Sequence, residues 1–460
     1  RVFHIAGFIV VALGCGLFTN QIILSDFMEE HQINIRMFRP MESYQKYGGV
    51  LTFARSVGYA VVKKPEGYTT AKVDQIIQEY EKKSANEQQS TAKQYPNIIT
   101  VVNETFADIK VLGDFKTNED YMPYFHSLKK NCVTGYTYAS IVGGQTANTE
   151  FELLTGNTLG FLSAGTTAFQ LYIHGQMPSL VSNLKAEGYS GNKAMHPFNP
   201  YNYNRPAVYK DFGFTDFIDK FDFPKNVKRV REYISDEANV DRIISEYEKN
   251  RKKTDQPFYM YNMTIQNHSP YDKDAANFKQ PIKIESSKYD AEANRYLNLI
   301  KYSDDSLKQL TSYFEKCKEP TIILFLGDHQ PRLTDEFMNK ITNGQYQTWS
   351  SEQMMKRYQV PFVIWANYDI KEQHIEKTSM NYIQSILTKT AGVKMTGYQR
   401  FLNEVRKEVP TITSQGYWGK NGKFYQINDK GSPYYGIIQK YRMIQYNMMF
   451  DKKNRRDSFF

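Results

Sequence analysis

From residue 96 onward the chain alternates short apolar runs with longer amphipathic stretches. Four runs rich in β-branched and aromatic residues predict strands, namely NIITVVNE (97–104), FYMYNMTIQ (258–266), TIILFLGD (321–328) and VPFVIWANY (360–368). Between the second and third runs, YLNLIKYSDDSLKQL within 286–317 has apolar residues at helical spacing. Strands that alternate with helices predict an α/β fold, with a mostly parallel sheet covered by helices on both faces.

Another apolar run lies at the N-terminus. Residues 2–25 contain no Asp, Glu, Lys or Arg, and FHIAGFIVVALGCGLF lies in a stretch of about 20 residues, long enough to cross a bilayer. A signal peptide or a buried core helix is the alternative, but the run lacks the basic start and small-residue end of a signal. We predict a transmembrane helix over 1–25, the last of several. The charges flanking it favour an extracellular position for the rest of the chain.

The remainder divides into three predicted regions. Residues 26–95 are predicted to form a helical linker with a very polar end, and residues 96–399 are predicted to form the catalytic domain. Residues 400–460 contain YWGKNGKFYQIND, typical of a hairpin, and YYGIIQKYRMIQYNMMF, typical of a helix. We expect this last region to pack on the edge of the catalytic domain.

Charge and cysteine content exclude some classes of protein. The net charge of the 460 residues is +9, but it is dispersed along the chain, which argues against a nucleic-acid partner and fits an anionic membrane or a phosphate-bearing substrate. The three cysteines form no CxxC pair, which argues against a structural zinc site or a disulfide scaffold. A bridge between Cys132 and Cys317 stays open.

Three polar residues follow the apolar runs directly. Glu104 ends the first run, while Asp328 and His329 follow TIILFLG. In open α/β sheets, ligands bind outside the carboxyl ends of strands. The structural alternatives are a surface turn for Glu104, a cap or turn for Asp328 and a satisfied loop histidine for His329. The Asp-His pair after a strand favours a functional site.

Thr146 lies in GGQTANTEFELLTG, directly after a glycine-rich turn and before a predicted helix. The unpaired N–H groups and the positive end of the dipole at a helix start would stabilise an alkoxide or a phosphoryl group there. An ordinary N-cap is the alternative, although the glutamate four residues later makes an imperfect capping box. A threonine hydroxyl becomes a useful nucleophile when a base or a metal lowers its pKa.

Glu104, Asp328 and His329, with Thr146 as an alkoxide, form a mixed oxygen and nitrogen set that suits manganese, magnesium or zinc. A second group, His196, Arg205 and His268, has the side chains that bind phosphate oxygens, the arginine by a bidentate fork. Their alternative is to satisfy buried backbone groups in loops rich in Asn, Pro and Tyr.

Together these motifs resemble a known family. The order NETF, GGQTANTEFELLTG, MHPFNPYNYNRPAVYKDFGF, NHSPY, RYLNLIKYSDDSLKQL and LFLGDHQPRL is similar to the lipoteichoic acid synthase and phosphoglycerol transferase branch of the sulfatase/alkaline phosphatase superfamily. The resemblance covers about residues 96–395. It implies that Thr146 is the nucleophile and that Glu104, Thr146, Asp328 and His329 hold one manganese or similar ion. It also implies that His196, Arg205 and His268 bind the phosphate or the glycerol of the substrate.

The reaction implied by the resemblance is a double displacement in a membrane-anchored extracellular enzyme. Thr146 attacks the phosphorus of phosphatidylglycerol or a similar phospholipid, and a glycolipid or polymer hydroxyl then takes the glycerol phosphate. Phe198 and Tyr203 stand where polyglycerolphosphate synthases usually have an aspartate and a tryptophan, which leaves the donor and acceptor open. A phosphoethanolamine transferase or phosphodiesterase on this scaffold, or a non-catalytic envelope scaffold, is the alternative. No C/S-x-P-x-R motif surrounds Thr146, so sulfate ester hydrolysis is not expected.

Overall fold

The computed structural model describes residues 2–23, 40–60, 62–84, 94–285 and 290–460, with Phe27, Ile33 and Ile35. The polar end of the predicted linker, at 85–90, lies outside the described residues. The same holds for Asp26, Glu29 and Glu30, the acidic residues that follow the N-terminal apolar run.

The strands are β1 Asn97–Asn103, β2 Cys132–Tyr138, β3 Ser190–Met195, β4 Asp216–Ile218, β5 Arg229–Val230, β6 Tyr233–Ile234, β7 Phe258–Met263, β8 Thr321–Gly327, β9 Gln359–Ala366, β10 Gln373–Ser379, β11 Thr411–Thr413, β12 Gly416–Trp418 and β13 Phe424–Tyr425. The α-helices are α1 Val2–Phe18, α2 Pro40–Ala60, α3 Thr70–Ser84, α4 Pro123–Ser127, α5 Thr146–Thr155, α6 Ala168–Leu171, α7 Leu180–Ala186, α8 Arg205–Phe212, α9 Asp236–Arg251, α10 Ala291–Phe314, α11 Asp335–Ile341, α12 Ser351–Met354, α13 Met380–Thr390, α14 Gly397–Glu408 and α15 Tyr435–Met449.

Eight strands form the central sheet, in the order β10-β2-β9-β8-β1-β7-β3-β4. All pairs are parallel except those of β9, which runs antiparallel to both β2 and β8. The four strands predicted from apolar runs are β1, β7, β8 and β9, and the predicted long helix is α10. The predicted fold, a mostly parallel sheet with helices on both faces, is confirmed.

The three central strands end level with one another, and this places the polar residues that follow them side by side. Every residue of β1, β7 and β8 is buried, as expected for strands covered on both faces. Asn103 at the end of β1 pairs with Gly327 at the end of β8, and Val102 pairs with Met263 at the end of β7. The residues after these strands therefore emerge at one edge.

Helix α1 is not covered by the rest of the protein. Within the described ranges, His4–Ile22 is the one stretch that is helical, long and apolar enough to span a membrane, and none of it is buried. This agrees with the predicted membrane helix by length and composition. Further spans upstream stay a prediction, as do the domain boundaries.

The C-terminal region reaches back to helix α5. The predicted hairpin is the pair β12 and β13, and the predicted helix is α15. The hydroxyls of Tyr398 and Tyr441 both donate to the carbonyl of Gly156, the residue that ends α5, at 2.9 and 2.5 Å. In α15, the amide of Gln445 exchanges two hydrogen bonds with the backbone of Thr158. The end of α5 is thus held by this region.

The cysteines are not paired. Cys132 is buried in β2 and Cys317 is half-buried after α10, and both are free thiols. The bridge that the sequence left open is therefore absent, and the core is held by packing and hydrogen bonds.

Candidate active site

Glu104 enters the site directly from β1. It is 3% exposed, its backbone N–H donates to Thr264 Oγ1 at 3.0 Å, and the Thr105 hydroxyl donates to its Oε1 at 2.8 Å. Thr105 has a φ of 55°, so the chain turns sharply there and the carboxylate points back over the strand end. A surface turn for Glu104, the structural alternative, is therefore wrong.

Asp328 and His329 follow β8. Asp328 Oδ1 accepts the N–H groups of Thr105 and His329 at 2.7 and 2.8 Å, which fixes the carboxylate between the two strand ends. His329 Nδ1 donates to the carbonyl of Gln330 at 3.0 Å, so Nε2 is the unprotonated nitrogen of the neutral ring. Neither Asp328 Oδ2 nor His329 Nε2 has a hydrogen-bond partner among the described residues, although both atoms are buried.

Gly327 is required before this pair because of a close approach between strands. A Cβ at this position would lie 1.8 Å from the backbone oxygen of Phe106. Gly327 therefore makes room for the turn that follows β1.

Thr146 is the first residue of α5. Gln145 takes the cap position with a φ of 65° and forms no side-chain cap hydrogen bond, so the N-cap alternative for Thr146 is wrong. Instead the Thr146 hydroxyl, 6% exposed, donates to Glu104 Oε2 at 3.4 Å. Helix α5 is also joined to the end of β8, because the Thr149 hydroxyl donates to the carbonyl of Asp328 at 2.8 Å.

The buried cluster fits a divalent cation. Ligand atoms of Glu104, Asp328 and His329 all lie within 4.8 Å of one another, and His329 Nε2 is 3.2 Å from Asp328 Oδ2 and 3.8 Å from Glu104 Oε1. Burial, followed by the charge of Asp328, raises the pKa of Glu104 to about 8, while His329 lowers it. Two adjacent buried carboxylates and two unpartnered ligand atoms are stabilised when a cation binds between them.

The three residues predicted to bind substrate reach the same cavity. The cavity has a volume of about 120 Å³, and its lining includes Glu104, Thr146, His196, Arg205, His268 and His329.

Asp328 is fully buried and does not line the cavity.

Two histidines line the cavity as neutral rings. His196 Nδ1 donates to the carbonyl of Met263 at 3.0 Å, and burial, followed by the charge of Arg205, holds the pKa of His196 well below its usual value. His268 Nδ1 donates to the carbonyl of Ser269 at 2.6 Å, and burial lowers its pKa as well. In both rings Nε2 is therefore the nitrogen that can accept a proton or a hydrogen bond.

Arg205 is fixed by a carboxylate that the sequence did not single out as functional. Its Nε and Nη2 donate to Glu150 Oε1 at 3.0 and 2.7 Å, and Glu150 Oε2 accepts the hydroxyls of Tyr209 and Tyr261. The fork that we expected to bind phosphate thus holds Glu150, and Nη1 donates to the carbonyl of Asn202 at 3.5 Å. Glu150 lies one turn after Thr146 on α5, so one helix positions both groups.

Two aromatic residues complete the wall. Phe198 stacks on the His268 ring, with 6.2 Å between the ring centroids. The Arg205 guanidinium carbon lies over the Tyr203 ring, 5.1 Å from its centroid. Behind His268, Arg231 donates to the carbonyls of Gln266, His268 and Pro270 and thereby holds the loop. No motif in the sequence pointed to Arg231, because its partners are backbone atoms.

The sheet and the cluster at its carboxyl edge define an α/β protein of the alkaline phosphatase type. A family model described as Sulfatase matches residues 96–393, and the chain belongs to this family. A putative cyclic beta-1,2-glucan modification protein of Rhizobium meliloti (strain 1021) is 31% identical over 432 residues, which cover 92% of this chain and 65% of that relative.

Two solved structures share the fold. Streptococcus pyogenes phosphoglycerol transferase GacH, in complex with sn-glycerol-1-phosphate, has a TM-score of 0.69 at 20% identity and covers 87% of this chain and 99% of that one. The lipoteichoic acid synthase LtaP from Listeria monocytogenes has a TM-score of 0.60 at 20% identity, and the match covers 84% of this chain and 98% of that one. The family match confirms the sulfatase part of the predicted resemblance, and the two structures confirm the fold.

Proposed function

We propose that this chain transfers glycerol phosphate from phosphatidylglycerol, or a similar phospholipid, to a cell-envelope polymer or glycolipid through a phospho-threonine at Thr146. The observation that carries the proposal is the Thr146 hydroxyl at a helix start, 3.4 Å from Glu104 in a buried cluster with two unpartnered ligand atoms. The names of the relatives support it, since one is a phosphoglycerol transferase and another a glucan modification protein.

The cluster activates the nucleophile in this proposal. Glu104, Thr146, Asp328 and His329 would hold a divalent cation, manganese or alternatively magnesium or zinc, which lowers the pKa of the Thr146 hydroxyl and neutralises phosphate charge. The start of α5 directs backbone N–H groups at the same point, so a phosphoryl group on Thr146 is stabilised by the helix as well.

The remaining site residues bind the substrate and transfer protons. Arg205 Nη1 and His196 Nε2 contact the phosphate or the glycerol. The bond between Thr146 Oγ1 and phosphorus forms as the bond to diacylglycerol breaks, while the neutral His268 takes up the Thr146 proton at Nε2 and passes it to the leaving alkoxide. In the second half, His268 takes the proton of the acceptor hydroxyl as that oxygen bonds to phosphorus, and it returns this proton to the Thr146 oxygen as the bond from phosphorus to Thr146 breaks. The net products are diacylglycerol and the phosphoglycerol-modified acceptor.

Helix α1 would hold the enzyme at the membrane that contains the lipid donor. Its unburied apolar surface fits a bilayer, and the catalytic domain lies outside the cell in this proposal.

Mass spectrometry of the full chain tests the proposal directly. The chain is incubated in detergent with phosphatidylglycerol and manganese, without an acceptor, and we expect a glycerol-phosphate adduct on Thr146. The Thr146→Ala variant should form none. A phosphoethanolamine adduct from phosphatidylethanolamine would reassign the donor, and a chain that forms no adduct and binds no metal would be a scaffold rather than an enzyme.

A further inference from the structure

A second cavity of about 450 Å³ adjoins the catalytic cavity. It lies between the loop after β3, the segment 220–225 and the β5–β6 hairpin, and it shares Phe198 with the catalytic cavity. Tyr233, also in its lining, packs against His268, with 5.7 Å between ring centroids. The wall between the two cavities is therefore one aromatic layer.

The two cavities differ in the size of ligand that they admit. Small-molecule sites typically measure about 300–1,000 Å³, which includes the second cavity at about 450 Å³ and excludes the catalytic cavity at about 120 Å³. The catalytic cavity therefore leaves little room for an acceptor beside the group that is transferred. A transferase also needs a place for its acceptor, and the second cavity is beside the reacting groups.

The lining combines aromatic faces with charged groups. Phe221 and Phe223 line the cavity with Lys220, Lys225 and Glu232, and Arg229 adds a third cation. Phe221 is 73% exposed, and Lys220 Nζ lies 5.0 Å from its ring centroid. Beyond the N-terminal helices, Phe221 and Tyr201 are the exposed large apolar side chains of the described residues.

This chemistry suits a sugar ring better than an acyl chain. The apolar face of a hexose packs on an aromatic ring, while its hydroxyls donate to a carboxylate and accept from lysine and arginine. An acyl chain would bury the charged groups without a partner, which is unfavourable.

We propose that this cavity binds a hexose unit of the acceptor, either in a glycan or in a glycolipid head group. The inference rests on the proposed function, because it assigns the acceptor of the same reaction. The bound sugar presents a hydroxyl past Phe198 and Tyr233 to His268, where the second half of the transfer takes place.

The experiment separates the two half-reactions of the full chain. Phe221→Ala and Lys225→Ala should form the Thr146 adduct from phosphatidylglycerol at the wild-type rate. Their KM for sophorose, two glucose units joined β-1,2, should rise about fivefold, which corresponds to about 1 kcal/mol. Tyr201→Ala is the matched control, because Tyr201 is equally exposed but does not line the cavity. It should change neither value.

Binding is also measured without turnover. Saturation-transfer NMR should show sophorose bound to the wild type and weakened by Phe221→Ala, even if no adduct forms and the proposed function fails. Vesicles with diglucosyl-diacylglycerol distinguish a glycolipid source from a free glycan by competing with sophorose. The inference is overturned if glycerol phosphate binds here and sophorose does not, or if Phe221→Ala and Tyr201→Ala slow adduct formation equally, as a lipid contact would require.

Discussion

Replacing Glu150 by glutamine tests how Arg205 is held. Both side chains of this ion pair are almost completely buried, and the carboxylate also accepts the hydroxyls of Tyr209 and Tyr261. Burial lowers the pKa of Arg205 and the Glu150 charge raises it. The variant removes the raising charge, but the intrinsic pKa of arginine is so high that the guanidinium stays charged. The substitution therefore leaves a buried cation without its counter-ion.

The expected cost follows from that uncompensated charge. Breaking a buried pair from one side typically costs about 3–5 kcal/mol, and removing both charges can be neutral. Glutamine keeps one acceptor oxygen, so we expect a loss of about 3 kcal/mol in the free energy of unfolding. An Arg205 that loses its position also weakens one charge-assisted contact, about 1.5–3 kcal/mol, which slows adduct formation about tenfold or more.

Thermal and denaturant unfolding of the full chain in detergent measures the first effect, and the rate of Thr146 adduct formation measures the second. Glu152→Gln is the matched control on the same helix. Glu152 is equally buried, no cation is among its hydrogen-bond partners, and burial raises its pKa to about 7, so glutamine resembles its protonated form. If Glu150→Gln is as stable and as active as the control, Glu150 does not position Arg205.

Three further predictions concern the cation, the strand ends and pH. Manganese at about 100 times its Kd should stabilise the wild type by about 2.7 kcal/mol in a thermal-shift assay; an equal shift in Asp328→Asn would place the ion elsewhere. Gly327→Ala should cost about 1–3 kcal/mol from overpacking, whereas Gly344→Ala, with nothing within 4 Å of the added carbon, should be near neutral; equal denaturation midpoints would contradict this. Asp108, whose carboxylate accepts a hydrogen bond from the His126 ring, raises the pKa of His126 from 6.5 to about 9, so the stabilising charge of His126 is fully present below pH 6.5 and is lost as the pH rises through 9. The stability difference between wild type and His126→Gln should therefore shrink across that range, and a constant difference would refute the assignment.

The strands that the sequence predicts are those buried on both faces. β1, β7, β8 and β9 read as continuous apolar runs, because no position in them faces water. β3, SGNKAM, and β10, QHIEKTS, lie toward the sheet edges and contain polar residues, so their sequences do not distinguish them from loops. The central strands carry the site, which is why its position could be predicted from the sequence.

The side chains after strand ends could be predicted for the same reason, whereas their partners could not. Glu150 looked like an imperfect capping residue, because its spacing from Thr146 is a local property. Its actual partners, Arg205, Tyr209 and Tyr261, come from α8 and β7 and meet it only in the folded chain. The second cavity likewise combines three segments that are separate in the sequence.

The hydrogen bonds from Tyr398 and Tyr441 to the carbonyl of Gly156 limit how far a recombinant fragment can be shortened. Tyr398 and Tyr441 lie beyond residue 393, where the family match ends, yet they brace the far end of the helix that begins at Thr146. A recombinant fragment trimmed to the matched region would lose that brace. Expression clones for biochemistry should accordingly retain the chain through Phe460.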